Sequence, residues 1–69
     1  MITFGDNLKN LRKLNKLNQK DFALKINTTQ QRVSEWECNK VEPSLYSLIK
    51  ITKVLNVTFE ELTEGIDTV

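Results

Sequence analysis

The sequence predicts an all-α fold, a compact set of five short helices, and three observations carry that prediction. Apolar residues recur at spacings of three and four in separate stretches, the pattern of helices that each bury one stripe. A good N-cap residue (Thr3, Asn18, Thr29, Ser44 or Thr58) stands before each stretch, able to accept from the free N–H groups of a first helical turn. The 69 residues hold one cysteine and no histidine, so neither an internal disulfide nor a zinc site can staple the core. Helix packing, or a partner chain, must then complete it. At 39% hydrophobic and 28% charged, the chain reads as one ordinary globular domain over residues 1–69. No apolar run approaches the length of a signal peptide or a membrane span, so the expected location is the cytoplasm.

The first helix is expected from Phe4 to about Asn15, capped by Thr3, with Phe4, Leu8, Leu11 and Leu14 as its inward stripe. Asn18 caps the second, with Asp21 at the capping-box position and Leu17 and Phe22 placed as a hydrophobic staple. Its stripe is Phe22, Ala23 and Ile26, and it ends at Asn27. The third runs from Gln30 to Cys38 with Val33 and Trp36 inward. Between these two, Asn27-Thr28-Thr29 must reverse the chain and restart a helix. Asn27 tolerates the left-handed conformation this requires, Thr29 caps the restart, and the small Ala23 lets the two helices cross closely. Residues 19–38 therefore form a helix-turn-helix.

Asn39 can supply a left-handed C-terminal cap, and Pro43 delays the next helix until Ser44 caps it. That fourth helix extends to about Leu55, with Leu45, Leu48, Ile49, Thr52 and Leu55 as its inner face, and Asn56 ends it. Thr58 and Glu61 then form a capping box, and Val57 and Leu62 staple across it. The fifth helix lasts one or two turns and stops at Gly65, leaving a tail over 66–69 that frays unless something covers it.

Charge is distributed unevenly. Residues 9–40 carry eight basic side chains (Lys9, Arg12, Lys13, Lys16, Lys20, Lys25, Arg32, Lys40) against Asp21, Glu35 and Glu37, a local balance of +5. The remainder sums to −4, which leaves the net charge at +1. One face offered to a polyanion fits this asymmetry, as does chance scatter over solvated helices; the helix-turn-helix tips the choice to the former.

Leu11-Arg12, Gln19, Ala23, Val33, Trp36-Glu37, Asn39-Lys40, Pro43 and Leu55-Asn56-Val57 together resemble the DNA-binding domain of the lambdoid phage repressor and Cro family, also called the XRE-type helix-turn-helix. The resemblance covers Leu8 to Leu62 and implies the five-helix lambda-repressor-like fold. The pair of glutamines opening the third helix is similar to that of repressors with such a pair. The chain departs from the family by carrying Asn27, Asn39 and Asn56 where glycine is common, and Thr28 where an aliphatic residue is usual. Asparagine can adopt the same left-handed conformation, whereas the Thr28 hydroxyl is expected to loosen the turn.

The resemblance implies double-stranded operator DNA as partner, with the third helix entering the major groove N-terminus first. Thr29, Gln30 and Gln31 would then lie nearest the bases, with Ser34 and Glu35 next. A glutamine amide can pair bidentately with adenine N6 and N7; Glu35 could accept from a cytosine amine or repel phosphate at wrong sites. Gln19, Arg32, Asn39 and Lys40 are the expected phosphate contacts, with Lys9, Lys13 and Lys20 behind them, and Gln19 is also expected to brace the start of the third helix. Arg12 and Glu37 lie at the margins of inward stripes, where the resemblance places a buried ion pair. Phe59, Ile66 and Val69 lie outside the best core stripes and are candidates for a homodimer interface, although Phe59 could equally complete the monomer core.

Cys38 reads as an inert thiol, and Trp36 as a core anchor. Nothing calls for a metal, a cofactor or a membrane. An enzyme is disfavoured, since no histidine and no glycine-rich phosphate loop is present and Glu60-Glu61 serves a helix cap. An antitoxin-like protein-interaction module is the competing class, but its outer helix face should show apolar residues where residues 29–35 are polar.

Overall fold

The computed structural model describes residues 1–67 and contains five α-helices: α1 (Phe4–Leu14), α2 (Gln19–Lys25), α3 (Gln30–Glu37), α4 (Leu45–Leu55) and α5 (Phe59–Leu62). Each starts where a side-chain oxygen takes a backbone N–H of the first turn: Thr3 from Asp6, Asn18 from Asp21, Thr29 from Arg32, Ser44 from Ser47, and Thr58 from Glu61. The capping box at Thr58 and Glu61 closes in both directions. A second, unforeseen one forms at Thr3 and Asp6, and Asp6 is held below the ordinary aspartate value of 3.8, chiefly by the backbone N–H that Thr3 donates to it. Asn18 accepts from Asp21 at 2.7 Å, but the return bond expected of a capping box is absent among the described residues.

The helix ends follow one geometry used four times. Lys16, Asn27, Asn39 and Asn56 all have φ between 55° and 60°, the left-handed region. At each, the next backbone N–H reaches back to a carbonyl five residues earlier (Leu17 to Arg12, Thr28 to Ala23, Lys40 to Glu35, Val57 to Thr52), the signature of a Schellman motif. The three asparagines therefore do what glycine does elsewhere. Thr28 stands half-buried, and its N–H to Ala23 is a normal 2.9 Å, so the expected loosening of the turn does not show in its backbone.

Leu8, Phe22, Ala23, Ile26, Val33, Trp36, Ile51, Leu55 and Leu62 form the core, with Phe4, Leu11, Leu17, Leu48, Val54 and Val57 packed around it. Two expectations fail here, and one open alternative is excluded. Leu14 is 76% exposed, because α1 ends at that residue, past the stretch the neighbouring helices cover. On α4 the buried residues are Ile51 and Leu55, while Leu45 and Ile49 face solvent. Apolar residues surround α4 on more than one side, so docking rather than periodicity selects its inner face. Phe59 is 57% exposed and does not complete the core. The tail is covered in part: Ile66 makes a parallel bridge to Ile2, and Asn7 Nδ2 donates to the carbonyls of Leu62 and Glu64. No described helix is long and apolar enough to cross a membrane.

Candidate nucleic-acid interface

α3 is held from beneath and at both ends. Val33 and Trp36 are essentially fully buried, and α3 packs against α1 and α2. The indole Nε1–H of Trp36 is buried without an acceptor among the described residues, which leaves its packing as its contribution. At the N-terminal end Thr29 Oγ1 accepts from Arg32 N at 3.1 Å. At the C-terminal end Glu37 receives both arms of the Arg12 guanidinium, Nε at 2.6 Å and Nη2 at 3.1 Å. The two side chains are 7% and 4% exposed. Arg12 Nη1 donates to the Leu17 carbonyl at 2.7 Å, and Gln19 Nε2 donates to Glu37 Oε1 at 3.1 Å. α1, α2 and α3 are thus joined through one buried carboxylate, with most hydrogen-bonding positions of the pair satisfied.

This network corrects one expectation. Gln19 braces the end of α3, through Glu37, and not its start. Its half-buried amide is already engaged, so a phosphate contact from this residue falls to its second amide hydrogen or to its backbone N–H at the head of α2.

Buried Val33 and Trp36 fix which side of α3 faces outward. Thr29, Gln30, Gln31 and Arg32 are exposed, whereas Ser34 and Glu35 are half-buried. Neither Gln30 nor Gln31 hydrogen-bonds another side chain among the described residues, so both amides are free at the first turn. Arg32 Nε lies 3.9 Å from Glu35 Oε1, a long and largely exposed pair of small energetic consequence. It lowers the charge that either offers alone. Cys38, a free thiol, is exposed just beyond the helix.

Asn39 makes two side-chain bonds that were not expected. Its Oδ1 accepts from Gly5 N at 2.9 Å and its Nδ2 donates to Thr3 Oγ1 at 2.9 Å, so the side chain is committed to the start of α1. Sequence reasoning missed this bond, and it missed Gly5. A Cβ on Gly5 would overlap the Glu37 carbonyl group, lying 2.7 Å from its carbon, and would sit 2.9 Å from Asn39 Nδ2. A glycine inside a helical stretch was the available signal of a close backbone approach.

Lys40 follows Asn39 and is exposed, as are Lys9, Lys13, Lys16, Lys20 and Lys25. Arg12 is the exception in the basic stretch: its charge is spent on Glu37, and removing both leaves the local balance unchanged. Phe59 edges an apolar groove shared with Phe4, Val41, Pro43, Leu48 and Ile66, with Asn39 also on its wall. Val69 lies outside the described residues.

Comparison with known proteins follows the same outline. The helix-turn-helix family HTH_3 matches over residues 8–62. An HTH-type transcriptional regulator of Bacillus subtilis, YqaE, is 36% identical over 62 residues, covering 90% of this chain and 53% of that protein. The HTH-type transcriptional activator BcrR of Enterococcus faecalis is 33% identical over 64 residues, covering 93% of this chain and 31% of that protein. The chain therefore spans about half the length of one relative and about a third of the other. Among solved structures, the P22 c2 repressor in complex with a synthetic operator superimposes with a TM-score of 0.87. Identity is 23%, over 94% of this chain and 98% of that one, a likeness of fold. The chain belongs to the XRE-type helix-turn-helix family, with the lambda-repressor-like fold of five helices.

Proposed function

We propose that this chain is a sequence-specific DNA-binding transcriptional regulator, a repressor that binds a pseudo-palindromic operator as a dimer, with α3 in the major groove. The observation that carries this reading is the outer face of α3. Two free glutamine amides stand on its first turn, while buried Val33, buried Trp36 and the Arg12–Glu37 pair hold its position. Gln30 and Gln31 read base edges, Thr29 flanks them, and the half-buried Ser34 and Glu35 reach bases second. Phosphate contacts come from Lys40 and Arg32, with Gln19 and Asn39 through the donor hydrogens their internal bonds leave free. The names of the relatives, a transcriptional regulator and a transcriptional activator, support DNA-binding regulation, and the operator bound to the P22 c2 repressor supports the operator-binding reading. A second copy would seat at the Phe59 groove, where Ile66 is already half covered, giving two α3 helices for two half-sites.

A second reading, an antitoxin-like module whose partner is another protein, draws support from the exposed Leu45, Tyr46 and Ile49 of α4. Selection of bound sequences from random duplex DNA, repeated at two salt concentrations, separates the two. The DNA reading is upheld by a recovered pseudo-palindrome whose affinity falls steeply with salt. Recovery of no sequence, with salt-insensitive binding, would instead favour the protein-partner reading.

A further inference from the structure

We infer that Asn39 is a positioning residue: by latching the segment after α3 to the first turn of α1, it fixes where Lys40 presents its charge. The inference rests on the DNA-binding reading above. Four residues end helices in the left-handed conformation, but of the three asparagines among them only Asn39 uses its side chain in a hydrogen bond among the described residues. It reaches back across 34 residues to Gly5 N, one of the N–H groups at the head of α1 that has no acceptor within the helix. Its Nδ2 meets the Thr3 hydroxyl, which also caps Asp6. Asn39 thereby completes the cap of α1 from the far side of the fold.

The approach is possible because Gly5 has no Cβ. Any larger residue would collide with the Glu37 carbonyl and with the Asn39 amide. The backbone from Glu37 to Asn39 is consequently seated on α1, and Lys40 departs from an anchored point, its own N–H bound to the Glu35 carbonyl at 2.9 Å. An anchored backbone lowers the ordering cost of a phosphate contact made by a flexible lysine. A glycine at position 39 would keep the helix end but lose this anchor.

The test uses the selected operator duplex and four proteins: wild type, Asn39→Gly, Lys40→Ala and the double variant. Thr3→Val serves as a fifth, removing the hydroxyl that Asn39 Nδ2 meets while leaving the bond from Gly5 N in place. Affinity is measured across a range of salt, with the folded fraction read by circular dichroism in each buffer. Lys40→Ala should flatten the slope of log affinity against log salt by about one unit. Asn39→Gly changes no charge, yet it should flatten the slope in the same direction; Thr3→Val should flatten it by no more than Asn39→Gly, and the double variant of Asn39→Gly and Lys40→Ala should be no flatter than Lys40→Ala alone. A neutral residue touching phosphate directly, or one serving stability only, would leave the slope at the wild-type value. An unchanged slope in Asn39→Gly, a larger change in Thr3→Val than in Asn39→Gly, or effects that add in the double variant, overturns the inference while DNA binding stands. Absence of salt-dependent binding by the wild type overturns both.

Discussion

Removing Glu37 tests the brace beneath α3, and its cost can be worked out from the surroundings. Glu37→Ala deletes the carboxylate that takes two bonds from Arg12 and one from Gln19. Arg12, 6% exposed in the intact fold, is left with the Leu17 carbonyl as its remaining acceptor. Stranding one charge of a buried pair costs about 3–5 kcal/mol, far more than the 0–1 kcal/mol of an exposed pair. A domain of 69 residues has roughly 3–10 kcal/mol in total, at 0.05–0.15 kcal/mol per residue, so the single variant should lose at least about a third of its stability. Urea unfolding followed by the single, buried Trp36 is the direct assay. Arg12→Ala should cost a similar amount. The double variant should cost clearly less than the two together, because no uncompensated charge remains. Losses below about 1 kcal/mol for each single variant, adding in the double, would refute the buried-pair reasoning.

Other outcomes follow from local geometry. Gly5→Ala should destabilise by about 1–3 kcal/mol in urea unfolding, although alanine favours helix by about 1 kcal/mol, because its Cβ meets the Glu37 backbone; a stabilised variant would contradict the close approach. Lys16→Gly should stabilise by roughly 1 kcal/mol, since Lys16 holds φ at 59° with a Cβ, and a loss of stability would contradict that strain. Asp6 has its pKa depressed in the fold, so it contributes stability that is present above the ordinary aspartate value and is lost as pH falls through the lower folded value. The stability gap between wild type and Asp6→Asn should accordingly be widest above about pH 4 and close in stronger acid; a gap independent of pH would remove Asp6 from the cap.

The local parts of this fold were legible in the sequence because their causes are local. Thr29 caps α3 and Asn27 turns left-handed for reasons contained within a few neighbouring residues. The inner face of α4 was legible only in part: Leu48 and Leu55 pack as expected, whereas Leu45 and Ile49 do not. LYSLIKITKVL carries two overlapping apolar stripes, and burial of Ile51 rather than Ile49 is decided by the helices it docks on. The site divides in the same way. Exposed Gln30 and Gln31 follow from the phase of Val33 and Trp36, one turn away. Bonds from Gln19 to Glu37, from Asn39 to Gly5 and from Asn7 to Leu62 and Glu64 span 18 to 57 residues, and no spacing rule encodes them. The family resemblance located Arg12 and Glu37, but it gave no sign that the Asn39 side chain also bonds to the start of α1.

The claim that α3 reads sequence is tested most directly by Gln30→Ala and Gln31→Ala, each titrated against operators altered one base pair at a time. Both glutamines are exposed at the first turn, and a bidentate amide–adenine contact contributes about 1–3 kcal/mol of discrimination. Each substitution should lose that amount on the preferred operator, relax the preference at one or two adjacent positions, and leave nonspecific affinity nearly unchanged because no charge is removed. Retention of the full wild-type preference at every position by both variants would contradict base reading by α3.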